Sequence, residues 1–433
     1  MGLSNFQHFT EAVSGSESAL VVAPARAAAT LGAEELGAVE AVSQRLRSEL
    51  ARLVRALPPG SRSVRSMASM LGVDRNTCQR VIAAAQPAGS GCEAFLRFPG
   101  IKPLRQLIAR AKAQGVEGDV VESVAAAVDR LAEVIKTLDQ SHQRLKSRVD
   151  ATLIAGTHRP DRTQVDIRRM LFEEHARLLQ RQMSVHSLIT AILPQSDDSE
   201  CLEQAWVRGL VGLRVDPHAA PVPLGLAAAE DDAASNATFD PLAQRTSPGS
   251  RRSGIIAALS SSPEPTLTTR LAATSQILVI DPATLDSARP TDVTIATRMS
   301  GVAKPDTLYH TSTVMMTPAA RLVFDVYLHR SLAMASLPSS GVFQFTMSFS
   351  GDMDENWPFR LPGQYRMELL GRGLDNSDSP AWDKHAQAAR HLFAQTGWSA
   401  DEFVGHRMDI PFPLWGSTVY QWFDFRSSGS TGP

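Results

Sequence analysis

The chain reads as α+β, with an all-α N-terminal part and a strand-rich C-terminal part. Three observations predict this. Before Met183 the apolar residues recur three and four apart, broken by Pro and Gly where helices stop. Between Gly118 and Asp150 that spacing settles into a heptad. After Met183 alternation takes over, as in Leu322, Phe324, Val326, Leu328 and in Phe343, Phe345, Met347, Phe349.

The 433 residues are 43% hydrophobic and 20% charged, the balance of a soluble globular chain of two or three domains. No apolar run approaches the roughly eighteen residues a membrane span needs. Ala19 to Ala29 is Ala- and Val-rich but lacks the basic start of a secretion signal. Cys78, Cys92 and Cys201 lie too far apart for a zinc pattern or a disulfide framework, which fits a reducing cytoplasm. Neither a metal nor a cofactor is expected.

Residues 1–30 read as a flexible tail. A helix is expected over Ala33 to Leu57, with Leu46, Leu50, Leu53 and Leu57 on one stripe and Pro58-Pro59-Gly60 as its stop. A short helix over Val64 to Met70 follows, with Met67 and Leu71 as its apolar side and Ala68 small where helices approach. Gly72 suits a chain reversal that needs positive φ. Asp74 is a good N-cap for a next helix, with Cys78, Val81 and Ile82 facing inward. The opposite face carries Arg75, Asn76, Thr77, Gln79 and Arg80. Pro87 to Gly91 is a break, and Phe95 to Phe98 reads as a short strand or extended contact. Whether Gly89 to Gly100 forms a hairpin wing stays open. Pro103 to Ala113 reads as a further helix.

The block from Ser66 to Ile82 resembles the helix-turn-helix of bacterial transcription regulators, on Ala68, Gly72, Val73, Cys78 and Val81. The resemblance covers about twenty residues strongly. It implies an N-terminal all-α helix-turn-helix domain over residues 31–115 whose second helix enters the major groove of double-stranded DNA. Arg75, Asn76, Thr77, Gln79 and Arg80 are then the expected base contacts, since Arg pairs with guanine and Asn or Gln with adenine.

Overall the chain carries 43 basic and 45 acidic residues. From Arg45 to Lys112, however, thirteen Lys or Arg face three acids, a local net of +10. Such a stretch supplies phosphate affinity, and Arg62, Arg65, Arg97, Lys102 and Arg105 are the expected phosphate contacts.

Residues 116–182 read as a long coiled-coil-like coupling helix. Val121, Val124, Val128, Leu131, Ile135, Leu138 and Leu145 form the expected seam of a homodimer, interrupted by His142. The rival reading is an intramolecular hairpin with a helix over Val165 to Leu179.

Residues 183–216 read as strand-rich (Ser184 to Leu193, Trp206 to Val215), 217–270 as a disordered linker, 271–426 as an α+β domain and 427–433 as a flexible tail. In the third of these, strands are expected at Gln276–Ile280, Val293–Arg298, Arg321–Leu328, Val342–Phe349 and Tyr365–Leu370, with one helix at Pro380–Thr396 and an extended end from Phe403 to Phe425. The sheet is expected to be covered on one face. His385 and His391 read as exposed helix residues, Asp352, Asp354 and Glu355 as a solvated acidic loop, and the tryptophans mainly as core.

The expectation is a cytoplasmic, nucleoid-associated, sequence-specific DNA-binding regulator, not an enzyme. Its partners would be DNA, a second copy of the chain and a small-molecule or protein effector. The rivals are an enzyme module tethered to DNA and a helical protein-interaction scaffold.

Overall fold

The computed structural model describes residues 30–86, 89–139, 141–155, 162–196, 198–226, 242–243, 251–272, 275–305, 308–345, 357–361, 365 and 367–425. The tails, most of the 227–250 stretch and the acidic loop with Asp352, Asp354 and Glu355 lie outside them. The described residues form a mixed α+β protein with a helical N-terminal part and a large mixed sheet.

The helical part contains α1 (Ala33–Ala56), α2 (Val64–Leu71), α3 (Arg75–Ala84), α4 (Gly91–Arg97), α5 (Ile101–Ala113), α6 (Gly118–Leu138) and α7 (His142–Ala155). Helix α1 is its spine. Leu46, Leu50, Leu53 and Leu57 are all buried, in one core with Met67, Cys78, Phe95, Leu107 and Val124. Two expectations change here. Phe95 to Arg97 belongs to α4, not to a strand. Ser90 caps that helix with Glu93 as its reciprocal partner, so the local backbone is helical despite the aromatic run.

The second change concerns the heptad. Val121, Val124, Val128, Leu131, Ile135 and Leu145 are buried within the chain, and Leu138 packs against the same core. The covering elements are α1 and α5, not the helix expected over Val165 to Leu179. The rod is also broken, because α6 ends at Leu138 and α7 begins at His142. The stripe is therefore not available as a dimer seam.

Helix α8 (Arg162–Leu179) leads into β1 (Arg181–Gln195) and β2 (Asp198–Val215). These two strands are the centre of the sheet, not a separate segment. Next come β3 (Val222–Leu226), β4 (Arg251–Ile255), β5 (Leu267–Ala272), β6 (Ser275–Ile280), β7 (Thr291–Ala303), β8 (Leu308–Val314) and β9 (Ala319–His329). Residues 217–270, expected to be a linker, thus contribute three strands to the described structure. The chain ends through α9 (Arg330–Ala335), β10 (Leu337–Gln344), β11 (Met367–Arg372), α10 (His385–Thr396), β12 (Phe403–Pro411) and β13 (Ser417–Asp424).

The seven-stranded sheet has the order β11-β12-β9-β1-β2-β7-β4, with β1 parallel to β9 and all other pairs antiparallel. Two three-stranded sheets, β10-β13-β8 and β3-β6-β5, accompany it. Both faces of the large sheet are covered, contrary to the expectation of one. Leu188, Leu322, Phe324, Val326 and Met408 pack with Val342, Val419 and Phe423 of β10 and β13. The alternate residues Ile189, Ala205, Val207 and Tyr327 pack on Ala388, Leu392 and Phe393 of α10.

Under α10 the sheet carries a sealed polar chain. Asp325 of β9 accepts both arms of the Arg407 guanidinium, at 2.7 and 2.6 Å. It also meets His385 Nε2 at 2.9 Å, while His385 Nδ1 meets Ser187 Oγ at 3.0 Å. Asp325 and His385 are 0% exposed and Ser187 1%, so His385 is not the surface residue expected. Burial alone would raise the Asp325 pKa. Hydrogen bonds from Arg407 and His385 reverse that and hold it below the usual carboxylate range.

Two outcomes are expected in denaturant unfolding. Leu131→Ala lowers stability by about 2–5 kcal/mol, as for a core leucine, and leaves the oligomeric state unchanged. Asp325→Asn lowers it by about 3–5 kcal/mol, because Arg407 stays buried without its counter-charge. In the wild type the Asp325 contribution is full above pH about 4 and is lost as pH falls through the depressed folded value.

Candidate nucleic-acid interface

The α2–turn–α3 unit follows from its caps. Ser63 Oγ accepts from Ser66 N–H at 3.2 Å and opens α2. Gly72 closes it at φ +60°, and its N–H returns to Ala68 O. Asp74 then accepts from Thr77 N–H at 2.9 Å and opens α3. Hydrogen bonds from Thr77 hold the Asp74 carboxyl below its usual range. Cys78, Val81 and Ala84 point into the core against α1 and α4, which fixes the opposite side of α3 outward.

Arg75 and Asn76 are exposed in the first turn of α3, and Gln79 is exposed one turn on. Two other expected base contacts are spoken for. Thr77 is buried, and its hydroxyl donates to the Asp74 carboxylate. Arg80 donates to Arg97 O at 3.1 Å and to Phe98 O at 2.7 Å, which ties α3 to the end of α4. Sequence reading assigned these two by helical position alone and missed their local hydrogen bonds.

The expected phosphate contacts divide in the same way. Arg62 donates to Leu57 O at 3.0 Å and to Arg55 O at 2.6 Å, closing the C-terminus of α1. Arg105 pairs with Asp129 at 2.8 Å, although both remain largely exposed. Arg65, Arg97 and Lys102 are exposed, and among the described residues no side-chain hydrogen bond or ion pair holds them. Arg97 and Lys102 flank the α4–α5 junction that Arg80 grips.

That junction holds a second cation that sequence reading missed. Lys146 of α7 donates to Leu96 O at 3.0 Å and Phe98 O at 2.7 Å. Burial, with Arg80 nearby, brings its pKa down to about 8. His142, expected on the heptad seam, packs edge-on to Phe95 at 5.2 Å. Burial, with Lys146 and Arg80 nearby, lowers its pKa to about 4, so the ring is neutral.

At its N-terminus α4 is clamped to α1. The Glu40 carboxylate accepts from Gly91 N–H and Cys92 N–H, both at 2.7 Å, and from Gln44 Nε2 at 2.7 Å. A Cβ at Gly91 would stand 2.3 Å from Glu40 O, so only glycine permits this approach.

The Ser187–His385–Asp325 chain has the residue types of a hydrolytic triad. Its burial leaves Ser187 Oγ no approach for a substrate carbonyl, and its bonds are absorbed in tying β1, β9, β12 and α10 together. Among the described residues no group of three or more His, Cys, Asp or Glu is placed to hold a metal ion, and no helix is long and apolar enough to cross a membrane. Comparison with protein-family models, curated proteins and solved structures finds no match to this chain.

The division of roles is measurable by urea unfolding. Arg80→Ala is expected to cost about 1–2 kcal/mol, the net worth of two hydrogen bonds to carbonyls of which Phe98 O keeps Lys146 as a donor. Arg75→Ala is expected to stay within about 0.5 kcal/mol, as an exposed change does.

Proposed function

We propose that the helical part binds double-stranded DNA through the exposed N-terminal turn of α3, and that the protein is a sequence-specific DNA-binding regulator. The observation that carries this reading is the outward face formed by Arg75, Asn76 and Gln79. It stands on a helix whose other side is locked into a core and whose start is fixed by the Gly72 turn and the Asp74 cap. Arg donates a two-pronged hydrogen bond to guanine, and Asn and Gln match adenine. The N-terminal end of such a helix is the end that reaches base edges.

Arg65, Arg97 and Lys102 supply the phosphate contacts in this reading. Their side chains are exposed and not neutralised by an ion pair among the described residues. Thr77, Arg80 and Arg62 are positioning groups for the fold and take no part in base or phosphate contact. Pairing of two copies through α6 is likewise no part of the proposal, because that stripe is covered. The sheet-bearing part is read as the sensing or partner-binding half, and a nucleoid-associated place in the cytoplasm follows from the DNA reading.

The test is fluorescence anisotropy of sheared genomic duplex DNA with the full chain across a salt series. Affinity is expected to fall linearly in log–log form, and Arg65→Ala and Lys102→Ala each to reduce the slope by about 1. Arg75→Ala combined with Gln79→Ala is expected to remove preference among duplexes, at about 1–3 kcal/mol per contact. No binding at about 50 mM salt, or binding indifferent to all four changes, would overturn the reading.

A further inference from the structure

Where α1 lies against β10 and β11, two adjoining cavities remain between the helical part and the sheet. The inner one, of about 30 Å³, is bounded by Arg45, Arg130, Ser336 and His406. The outer one, of about 140 Å³, shares Ala41, Pro338 and His406 with it and has an apolar side formed by Leu36, Leu153, Met367 and Leu369. It also touches Glu40, Gln44 and Cys92, the residues at the clamp between α1 and α4.

The inner cavity is lined mainly by apolar side chains, among them Val42, Ala127, Met334 and Leu337, and its few polar groups are left unsatisfied. Arg130 Nε, Ser336 Oγ and His406 Nδ1 are buried and have no hydrogen-bond partner among the described residues. Ser336 and His406 are each 5% exposed. Buried polar atoms of this kind are almost always paired, by protein, water or a ligand. Arg130 spends its other nitrogens on Glu133, at 2.8 Å, and on Ala335 O, at 3.2 Å, leaving Nε–H as a free donor. Burial and the nearby Arg45 lower the His406 pKa to about 3, so its ring is neutral and Nδ1 presents either a hydrogen or a lone pair. A compact group with two acceptor oxygens matches two to three donors here, beside guanidinium groups of Arg130 and Arg45 that are paired with Glu133 and Glu49.

We propose that this cleft binds a small carboxylic acid, with its carboxylate on Arg130 Nε, Ser336 Oγ and His406 Nδ1 and its apolar body against Leu36, Leu153, Met367 and Leu369. The bound acid is a regulator of the DNA-binding face. It contacts Glu40 and Cys92 at one end of α4, and the other end of α4 holds Arg80 of α3. A shift of α1 against α4 is thereby carried to the helix that presents Arg75, Asn76 and Gln79. This second part rests on the DNA-binding reading; the binding of the acid does not.

Gly37 gives a clean block. It lines the outer cavity, and a Cβ placed on it meets nothing within 4 Å. Gly37 is exposed, so Gly37→Trp is designed to cover the mouth of the cavity without a backbone clash, and Gly37→Leu serves if the larger side chain impairs folding. The experiment is calorimetric titration of the full chain with sodium hexanoate, with hexanamide as the uncharged control. One site per chain is expected, with Kd of about 0.1–1 mM. Hexanamide, Arg130→Met and Ser336→Ala should each weaken binding about tenfold, as loss of a charge-assisted hydrogen bond does. Gly37→Trp should abolish binding. Saturating hexanoate should change the affinity for sheared duplex DNA in the wild type and leave Gly37→Trp unmoved.

Absence of hexanoate binding, equal binding of hexanamide, or undiminished binding by the Gly37 variants would overturn the site and leave the cavities to water. Hexanoate binding with unaltered DNA affinity would overturn the regulatory role. Hexanoate binding in a chain that binds no DNA would support the site and overturn the DNA reading instead.

Discussion

Helix α1 is packed on both sides, and the rest of the structure depends on that constraint. On one side it covers α3, α4 and α6; on the other it lies on β10 and β11. A helix in that position buries several of its polar residues, and most of these have partners. Glu40 accepts the first N–H groups of α4, and Gln44 accepts from Leu369 N–H of β11 at 2.9 Å. Glu49, almost fully buried, pairs with Arg45 at 3.0 Å, and Arg52 pairs with Asp119 of α6. These bonds fix rotation and register as well as affinity. Apolar packing alone would let α1 slide, whereas a carboxylate bonded to two successive backbone N–H groups has one position.

The sheet half uses the same device at its centre. Alternation assigns the apolar residues to two faces, and the face under α10 receives Ser187, Asp325 and Arg407, which meet His385 of α10. Each comes from a different element, so the chain of bonds crosses β1, β9, β12 and α10. A buried pair of this kind adds little net stability compared with a hydrophobic replacement, but removal of one member is costly. Its effect is to select one arrangement of strands. The two halves meet at α1, where the satisfied bonds to β11 contrast with the unsatisfied atoms around His406.

Legibility in the sequence followed the range of the interaction. The Gly72 turn and the Asp74 cap were readable because each depends on residues within three positions. The strands of the large sheet were readable where alternation ran long, as in Leu322 to Leu328. The heptad from Val121 to Leu145 was visible, but its partner was not. The same spacing serves a seam between chains and a face buried on α1, and only long-range packing distinguishes them. Phe95 to Phe98 suggested extended chain because aromatic residues favour strands, while the Ser90–Glu93 capping box nearby was the stronger local signal. The Ala- and Ser-rich 217–270 stretch concealed β3, β4 and β5, whose existence depends on pairing with β6 and β7. Of the candidate site, Arg75, Asn76 and Gln79 kept the expected exposure. Thr77 and Arg80 did not, and Arg62, although exposed, is engaged by carbonyls at the end of α1, since helical position says nothing of a side chain's bond to a nearby carbonyl or cap. The polar atoms at the cleft carried no sequence pattern at all, because Arg130 of α6, Ser336 at the end of α9 and His406 of β12 are brought together only by the long-range packing of α6 and β12 on α9.

The most direct measurement is selection of bound duplexes from a random-sequence pool by the full chain, run beside the Arg75→Ala/Asn76→Ala/Gln79→Ala protein. A face built on α3 to read base edges should enrich one motif in the wild type, and the triple variant should return sequences without that motif while remaining folded. Enrichment of the same motif by both proteins, or of none by the wild type, would contradict the assignment of α3 as the reading helix.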